Sequence, residues 1–596
     1  MAIYYFDSNA VGANNGTSPA DAFTSLNMLN NNFGGHLTSA QLPAGSTIYF
    51  ARGSLFSIVD NIVLNSYIDL SMLVNGASGN PIIMTAYGST SLPLPKFKYT
   101  MQPSAGDWVW DATNSAWYLT TTNNIAVGGF GLIINGAYVP LIGHFAAGSD
   151  VPSLLTSTIG TNGLTANTLR FMIPTGSKTL YIAGGGLTSA TDPTTFFGAS
   201  NIVIYPRALF YAFRALAYTE VSYFDFEGGG FCPQYGAATT NYPGFVLHHC
   251  TGDKVTSVYN PQAPSATGVI SFTFHDNVFT NTMTDCLKPY GVVSGESYNN
   301  KYLRGNHCTS FGGAIHWQAK NAPGQTSYVH DEYAEYFANG VGDRTFDGCC
   351  FYGEQGSDGV VWERNVAAHS YLPWQENSGA AATWRNNIAF DCCKDFYITD
   401  SGSVGTSNYT FDSNLFISSL SPNTYSKGDA HKITSEGGTN VVAANIFTAS
   451  NPNGTLPITA FKCINNLQIL NGDYSAYTPR GTYNDTIMSS GTPVIKNNCV
   501  IGNFGTKPKV SKATSGGNYD STYPTNISGA LTGNDIIYAN GLPAMLSPSS
   551  IAAGAGLQAA TQETDYYGTV RFAPRSIGAL EVARPAQVFS PAWSGL

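Results

Sequence analysis

The chain has 596 residues, a formal net charge of −10 and only 11% charged residues. That balance, without any Lys/Arg cluster, excludes a nucleic-acid footprint, which needs a basic face. The absence of a run of about 18 apolar residues argues against a membrane-spanning helix, and aromatics at 13% are too many for a disordered chain. The composition fits strands and tight turns, with few solvated helix faces to carry charge.

The opening MAIYYFDSNA lacks the basic start and apolar segment of an export signal. The chain is therefore expected to fold in a reducing cytoplasm. Its ten cysteines, at 232, 250, 286, 308, 349, 350, 392, 393, 463 and 499, show no C-x-x-C spacing and read as reduced, mostly buried thiols. Residues 18–30, SPADAFTSLNMLN, predict a helix with Ser18 as N-cap and Pro19 at its first position. Phe23, Leu26 and Leu29 fall near one face, which suits a lid over the open end of a strand stack. Strand-like runs follow from about 46 to 90. Then GDWVWDATNSAWYLTTT reads as an antiparallel hairpin, packed in the ordinary way or inserted as a sugar-binding element.

The central half repeats. FHDNVF, WERNVA, WRNNIA, FDSNLF, VAANIF and IKNNCV share one pattern: an aromatic or aliphatic residue, two further positions, Asn, then an apolar residue; CINNLQ is a looser seventh. The recurring residues are Asn277, Asn365, Asn387, Asn414, Asn445, Asn466 and Asn498. Self-similarity at this period marks a solenoid, because each unit is too short to bury a core alone. Unequal gaps imply constant strands and variable turns. A turn Asn tolerates the left-handed region and can hydrogen-bond its counterparts in a ladder.

Both ends carry a resemblance. YYFDSNAVGANNGTSPADAFTSLNMLN, AGSTIYFARGSLF and SGNPIIMTAYG resemble the opening of pectate-lyase-like right-handed parallel β-helix proteins. IAAGAG at 551–556, Asp565, Gly568, Arg571 and IGALE at 577–581 resemble that family's closing rung. The resemblance implies an all-β, single-stranded right-handed parallel β-helix with an N-terminal capping helix. The expected divisions are a capped, β-rich portion over 1–200, the main β-helix over 201–582 and a tail over 583–596. The setting resembles a bacteriophage tailspike, a capsular polysaccharide depolymerase. It implies a homotrimer on the virion, attached through a phage tail or baseplate protein, folded in the host cytoplasm and acting at the bacterial surface. No cofactor, metal, nucleic acid or membrane insertion is expected. The alternatives are a polysaccharide lyase of a secreted bacterial β-helix type and a non-catalytic receptor-binding spike or adhesin.

Catalytic candidates come from spacing. Glu354 and Glu376 each precede a repeat Asn (Asn365, Asn387) by 11 residues, so they are expected to stack on adjacent coils. Coils about 4.8 Å apart bring two carboxylates close to the spacing of a retaining glycosidase. Asp331, Glu332 and Asp358 are reserve acids. Tyr352, Tyr371, Trp374, Trp317, His316 and Arg344 are candidate substrate contacts, since aromatics offer flat apolar faces with polar tips. A third set, Asp285, Lys288, His316 and Lys320, would suit β-elimination, with a base and a cation to neutralise a uronate. Hydrolysis is preferred because the acidic sets outnumber the basic ones.

Overall fold

The computed structural model describes residues 1–582 apart from 31–34, 58–74, 121–130, 140–151, 158–164, 175–178, 206–212, 234–240, 262–267, 306–311, 338–347, 355–358, 400–406, 420–446, 451–457, 474–482, 485–493, 504–511, 514–518, 521–526, 530–534, 556–563, 572–575 and stretches of one to three residues. The described chain is nearly all β, dominated by long parallel sheets of 18 and 13 strands. Parallel pairing begins immediately: Ile3–Phe6 pairs with Thr47–Ala51, which pairs with Ile82–Tyr87, which pairs with Thr219–Ser222.

The helix expected over 18–30 does not form. Phe23 is drawn into a bridge with the first strand, its N–H donating to Tyr5 O at 2.8 Å and its carbonyl accepting from Asp7 N at 2.9 Å. Ser18 donates to the Asp21 carboxylate instead of capping a helix. Only Leu26–Leu29 makes a 3-10 turn, capped by Ser25. Phe23, Leu26 and Leu29 are nevertheless all buried. The Trp-rich segment forms the expected hairpin, Trp108–Asp111 against Ala116–Thr120, extended by Thr179–Ala183 and Arg170–Met172. Trp108 and Trp117 are buried, and their indole N–H groups donate to Thr194 Oγ1 and Thr188 O, both at 2.9 Å.

From Thr219 onward each passage of chain adds one strand to a first parallel run and one to a second. The first contains Ile270–His275, Val360–Glu363 and Ala381–Arg385; the second contains Val278–Thr282, Val366–Ala368 and Ile388–Cys392. A third run stacks Gly312–Asn321, Gly348–Gly353, Leu372–Asn377 and Phe396–Thr399. It joins the first at Tyr290–Tyr298, which pairs with Gln318–Asn321 at one end and Tyr328–His330 at the other. Parallel register places equivalent residues one strand spacing apart, about 4.8 Å, so flat inward side chains stack. Trp362 and Trp384 lie 4.5 Å apart at 5°, both fully buried.

The turn from first to second run has one recipe. A residue with positive φ (Asp276, Asn299, Asp331, Arg364, Asn386, Ser413, Asn465) is followed by a buried ladder residue. The left-handed geometry therefore falls one position before the repeat Asn. Each Asn Oδ1 accepts the backbone N–H of the preceding ladder residue: Asn365 N to Asn387, Asn387 N to Asn414, Asn414 N to Asn466 and Asn466 N to Asn498, at 2.9–3.0 Å. Each Nδ2 donates to a carbonyl of the preceding passage, as Asn387 does to Trp362 O. The ladder steps directly from Asn414 to Asn466; Asn445 lies outside the described residues. It also includes Asn300, and Glu332 takes one rung: Asn277 N donates to Asn300 Oδ1, Asn300 N to Glu332 Oε2, and Glu332 N to Asn365 Oδ1.

The segment that resembles a closing rung lies against the side of the stack. Along the second run, Ala367, Ala389 and Phe416 enter the interior. Their neighbours Val366, Ile388 and Leu415 join a separate cluster with Ile536, Leu546, Tyr566, Ile577 and Leu580. Buried Arg571 pins this cover, donating to Gly578 O at 2.7 Å and Asn386 Oδ1 at 3.1 Å. Cys250, Cys286, Cys349, Cys350, Cys392, Cys463 and Cys499 are buried thiols.

Candidate functional site

The expected stacking of Glu354 and Glu376 is absent. Gly353, not Glu354, stands opposite Glu376. The next pairing is Val360 with Ala382, so one passage spends 360 − 353 = 7 residues on the turn and the other 382 − 376 = 6. A one-residue slip sends the two side chains to opposite faces. Glu376 points inward, fully buried, and accepts the Trp384 indole N–H at 3.0 Å. Trp317 and Trp374 are likewise interior, so they offer no face to a substrate.

Glu354 instead meets members of the third set. Asp285 and Lys288 precede the strand Tyr290–Tyr298, and His316 lies within Gly312–Asn321. Glu354 Oε2 lies 2.6 Å from His316 Nε2, and His316 Nδ1 lies 3.1 Å from Asp285 Oδ2. Asp285 also accepts Gly313 N at 2.8 Å and pairs with Lys288 at 3.3 Å. Tyr352 is covered and stacks on the imidazole, ring centres 4.4 Å apart. Burial opposes charge on Asp285, but His316, Lys288 and the Gly313 N–H outweigh it and hold the carboxyl well below its usual range. Burial alone would lower the His316 pKa; the two carboxylates raise it despite Lys288. Burial likewise pushes Glu354 up, and the His316 hydrogen bond and charge bring it below its ordinary value. Both imidazole nitrogens face carboxylates, so the ring can donate to both when it carries both protons. Its side chain is 2% exposed, against 21% for Glu354 and 25% for Lys288. The cluster thus opens to solvent through one ionised carboxylate and one ammonium. Lys320 is exposed and makes no ion pair with the cluster among the described residues.

The remaining candidates disperse. Asp331 is held bidentately by Arg364, both bonds 2.8 Å, and by His330 at 2.7 Å. Glu332 is the ladder rung, fully enclosed, its pKa raised by burial to about 8 despite donors from Ser297 and Asn300. Asp358, Tyr371 and Arg344 lie outside the described residues. Sequence reasoning missed the joining of Glu354 to His316; the signal was the parity of the third-run strands, which spacing from the Asn ladder does not report. Among the described residues no group of three or more His, Cys, Asp or Glu is disposed to hold a metal ion, and no helix is long and apolar enough to cross a membrane.

Fold and cluster define a protein of stacked parallel strands carrying a carboxylate–imidazole–carboxylate group on the outward side of its third run. Solved structures similar to this chain include the lacto-N-biosidase of glycoside hydrolase family 136 from Eubacterium ramulus. Its native form has 12% identity and a TM-score of 0.31, covering 84% of this chain and 68% of that one. Its selenomethionine derivative has 12% identity and a TM-score of 0.29, covering 83% and 67%. The tailspike of Pseudomonas phage phi297 has 13% identity and a TM-score of 0.22, covering 74% of each chain. No family model and no curated protein matches the chain.

Proposed function

We propose that the chain is a right-handed parallel β-helix that recognises and cleaves a bacterial capsular or other surface polysaccharide, by glycosidic hydrolysis ahead of β-elimination. The observation that carries this reading is the Asp285–His316–Glu354 chain, open to solvent at Glu354. An ionised, oriented carboxylate can attack an anomeric carbon or take a proton from water, and both routes require a second carboxyl group as acid. Asp331 is ion-paired and Glu332 enclosed. Asp358, four residues beyond Glu354 in the chain, is therefore the acid to test. Lys288 beside the cluster favours elimination as a second reading, since an ammonium can neutralise a uronate. The tailspike resemblance of the sequence extends the proposal to a homotrimer on a phage tail.

Purified capsules and O-antigens mixed with the protein should gain reducing ends without the ultraviolet absorbance of an unsaturated uronate. Absorbance rising with the ends would make it a lyase. Binding without either would make it an adhesin. Glu354→Gln should lower turnover on the order of 10²-fold or more, and near-normal turnover would remove Glu354 from the mechanism. A stable monomer in light scattering would end the trimer.

A further inference from the structure

We infer that Tyr290 and Lys320 form a subsite for an acidic sugar ring beside Glu354; this rests on the polysaccharide reading above. Parallel register places Tyr290 opposite Gln318. Trp317 stands opposite Gly353, so Gln318 is in line with Glu354, and Glu354 N donates to Trp317 O at 2.9 Å. Tyr290, Gln318 and Glu354 thus form one outward row across two adjacent strands and the residue just past the end of a third. Two strand spacings, about 9.6 Å, separate its ends.

Tyr290 stands out along this face. Tyr352, on the same outward parity, is essentially closed to solvent, whereas Tyr290 is 42% exposed. A tyrosine presents an apolar ring with a polar tip, which suits the apolar face of a pyranose and its hydroxyl rim. Gln318 is half-buried between the tyrosine and the carboxylate, an amide able to donate and accept in the same groove. Lys320 lies opposite Val292 on the same outward parity, two residues along from Gln318. It is exposed and makes no ion pair among the described residues, whereas Lys288 on the other side of the row is paired with Asp285. The uncommitted charge beside the exposed ring is therefore positive, and a carboxylate-bearing sugar satisfies both. A polymer seated here would cross successive strands and bring its next linkage toward Glu354.

The test uses the full chain with Glu354→Gln, on an array of purified bacterial capsular polysaccharides and O-antigens. The bound members should carry carboxylate groups. Tyr290→Ala in that background should weaken binding by about tenfold or more, roughly the weight of one good contact, with Tyr290→Trp retaining it. Lys320→Gln should weaken binding and reduce its salt dependence. In the unsubstituted protein, Tyr290→Ala should raise KM far more than it lowers kcat. Unchanged thermal unfolding separates these effects from misfolding. Tyr290→Ala binding as tightly as its parent, or capture of neutral polysaccharides only, overturns the subsite. Binding lost in Tyr290→Ala on a polymer that the unsubstituted chain never cleaves supports the subsite and sinks the depolymerase reading. Binding to no member of the array sinks both.

Discussion

His316 Nε2, on one strand of the third run, meets Glu354 Oε2, just past the end of the next strand, at 2.6 Å. With Asp285 on the other nitrogen, the ring must keep both protons to satisfy its partners. The first prediction concerns this charge. The folded-state pKa of His316 is raised above its ordinary 6.5. Its stabilising contribution is fully present below 6.5 and is lost as pH rises through the raised value. Glu354 behaves oppositely: depressed below 4.5, it contributes above that value and loses the contribution as pH falls through its depressed pKa. Melting temperature against pH should therefore fall on the alkaline side in the parent, and His316→Gln should remove that part of the fall. Parallel profiles would show that the ring is neutral.

Glu332 yields the second prediction, with a matching sign. Burial raises its folded pKa from 4.5 to about 8. The associated stability is fully present below 4.5 and declines as pH rises through about 8. Glu332→Gln should flatten this window, and the substituted protein should be the more stable of the two at alkaline pH. Denaturant midpoints across the pH range would reveal it, and a parent midpoint that does not fall through the window would contradict it.

Asn387→Ala tests the ladder. It removes the acceptor of Asn365 N–H and the donor to Trp362 O, both buried. Each orphaned group costs about 1–3 kcal/mol, so a loss of several kcal/mol is expected in chemical denaturation. Changing the preceding Asn386 to Gly keeps the left-handed turn but gives up the contact to Arg571, and should cost less. A smaller loss for Asn387→Ala than for Asn386→Gly would show that the ladder is not the stronger element.

Gly353→Ala tests the inward course of Glu376. A methyl group at Gly353 would collide with the Glu376 carboxylate inside the stack. Overpacking of this kind costs typically 1–3 kcal/mol. A melting temperature equal to the parent's would mean that the Glu376 carboxylate yields to the methyl group or points elsewhere.

The sequence showed the ladder more clearly than the site. Asn277, Asn365, Asn387, Asn414, Asn466 and Asn498 all take part in the ladder, because a buried turn leaves the same backbone groups to satisfy on every passage. Asn300 escaped the pattern because Ser297 and Lys301 stand where its counterparts have apolar or aromatic residues, and Glu332 because a carboxylate replaced the amide. The third run was the obscure part. A turn of variable length separates its strands from the ladder, and a single residue gained or lost there inverts every side chain. Equal spacing of Glu354 and Glu376 from their asparagines therefore predicted a pair that a seven-against-six difference separated. The helix over 18–30 failed for another reason: local propensity there competes with strand pairing that reaches back to Tyr5 and Asp7.

The cover over the second run makes biosynthesis of this molecule asymmetric. Val366, Ile388 and Leu415 leave the ribosome roughly 200 residues before Ile577 and Leu580, which shield them. At about 5–20 residues per second, that flank is exposed for roughly ten to forty seconds on each nascent chain. Neighbouring chains on one message can adhere through it during that interval. A protein truncated before Ile536 should hold the flank open permanently and collect in the insoluble fraction, while one truncated beyond Val582 should not.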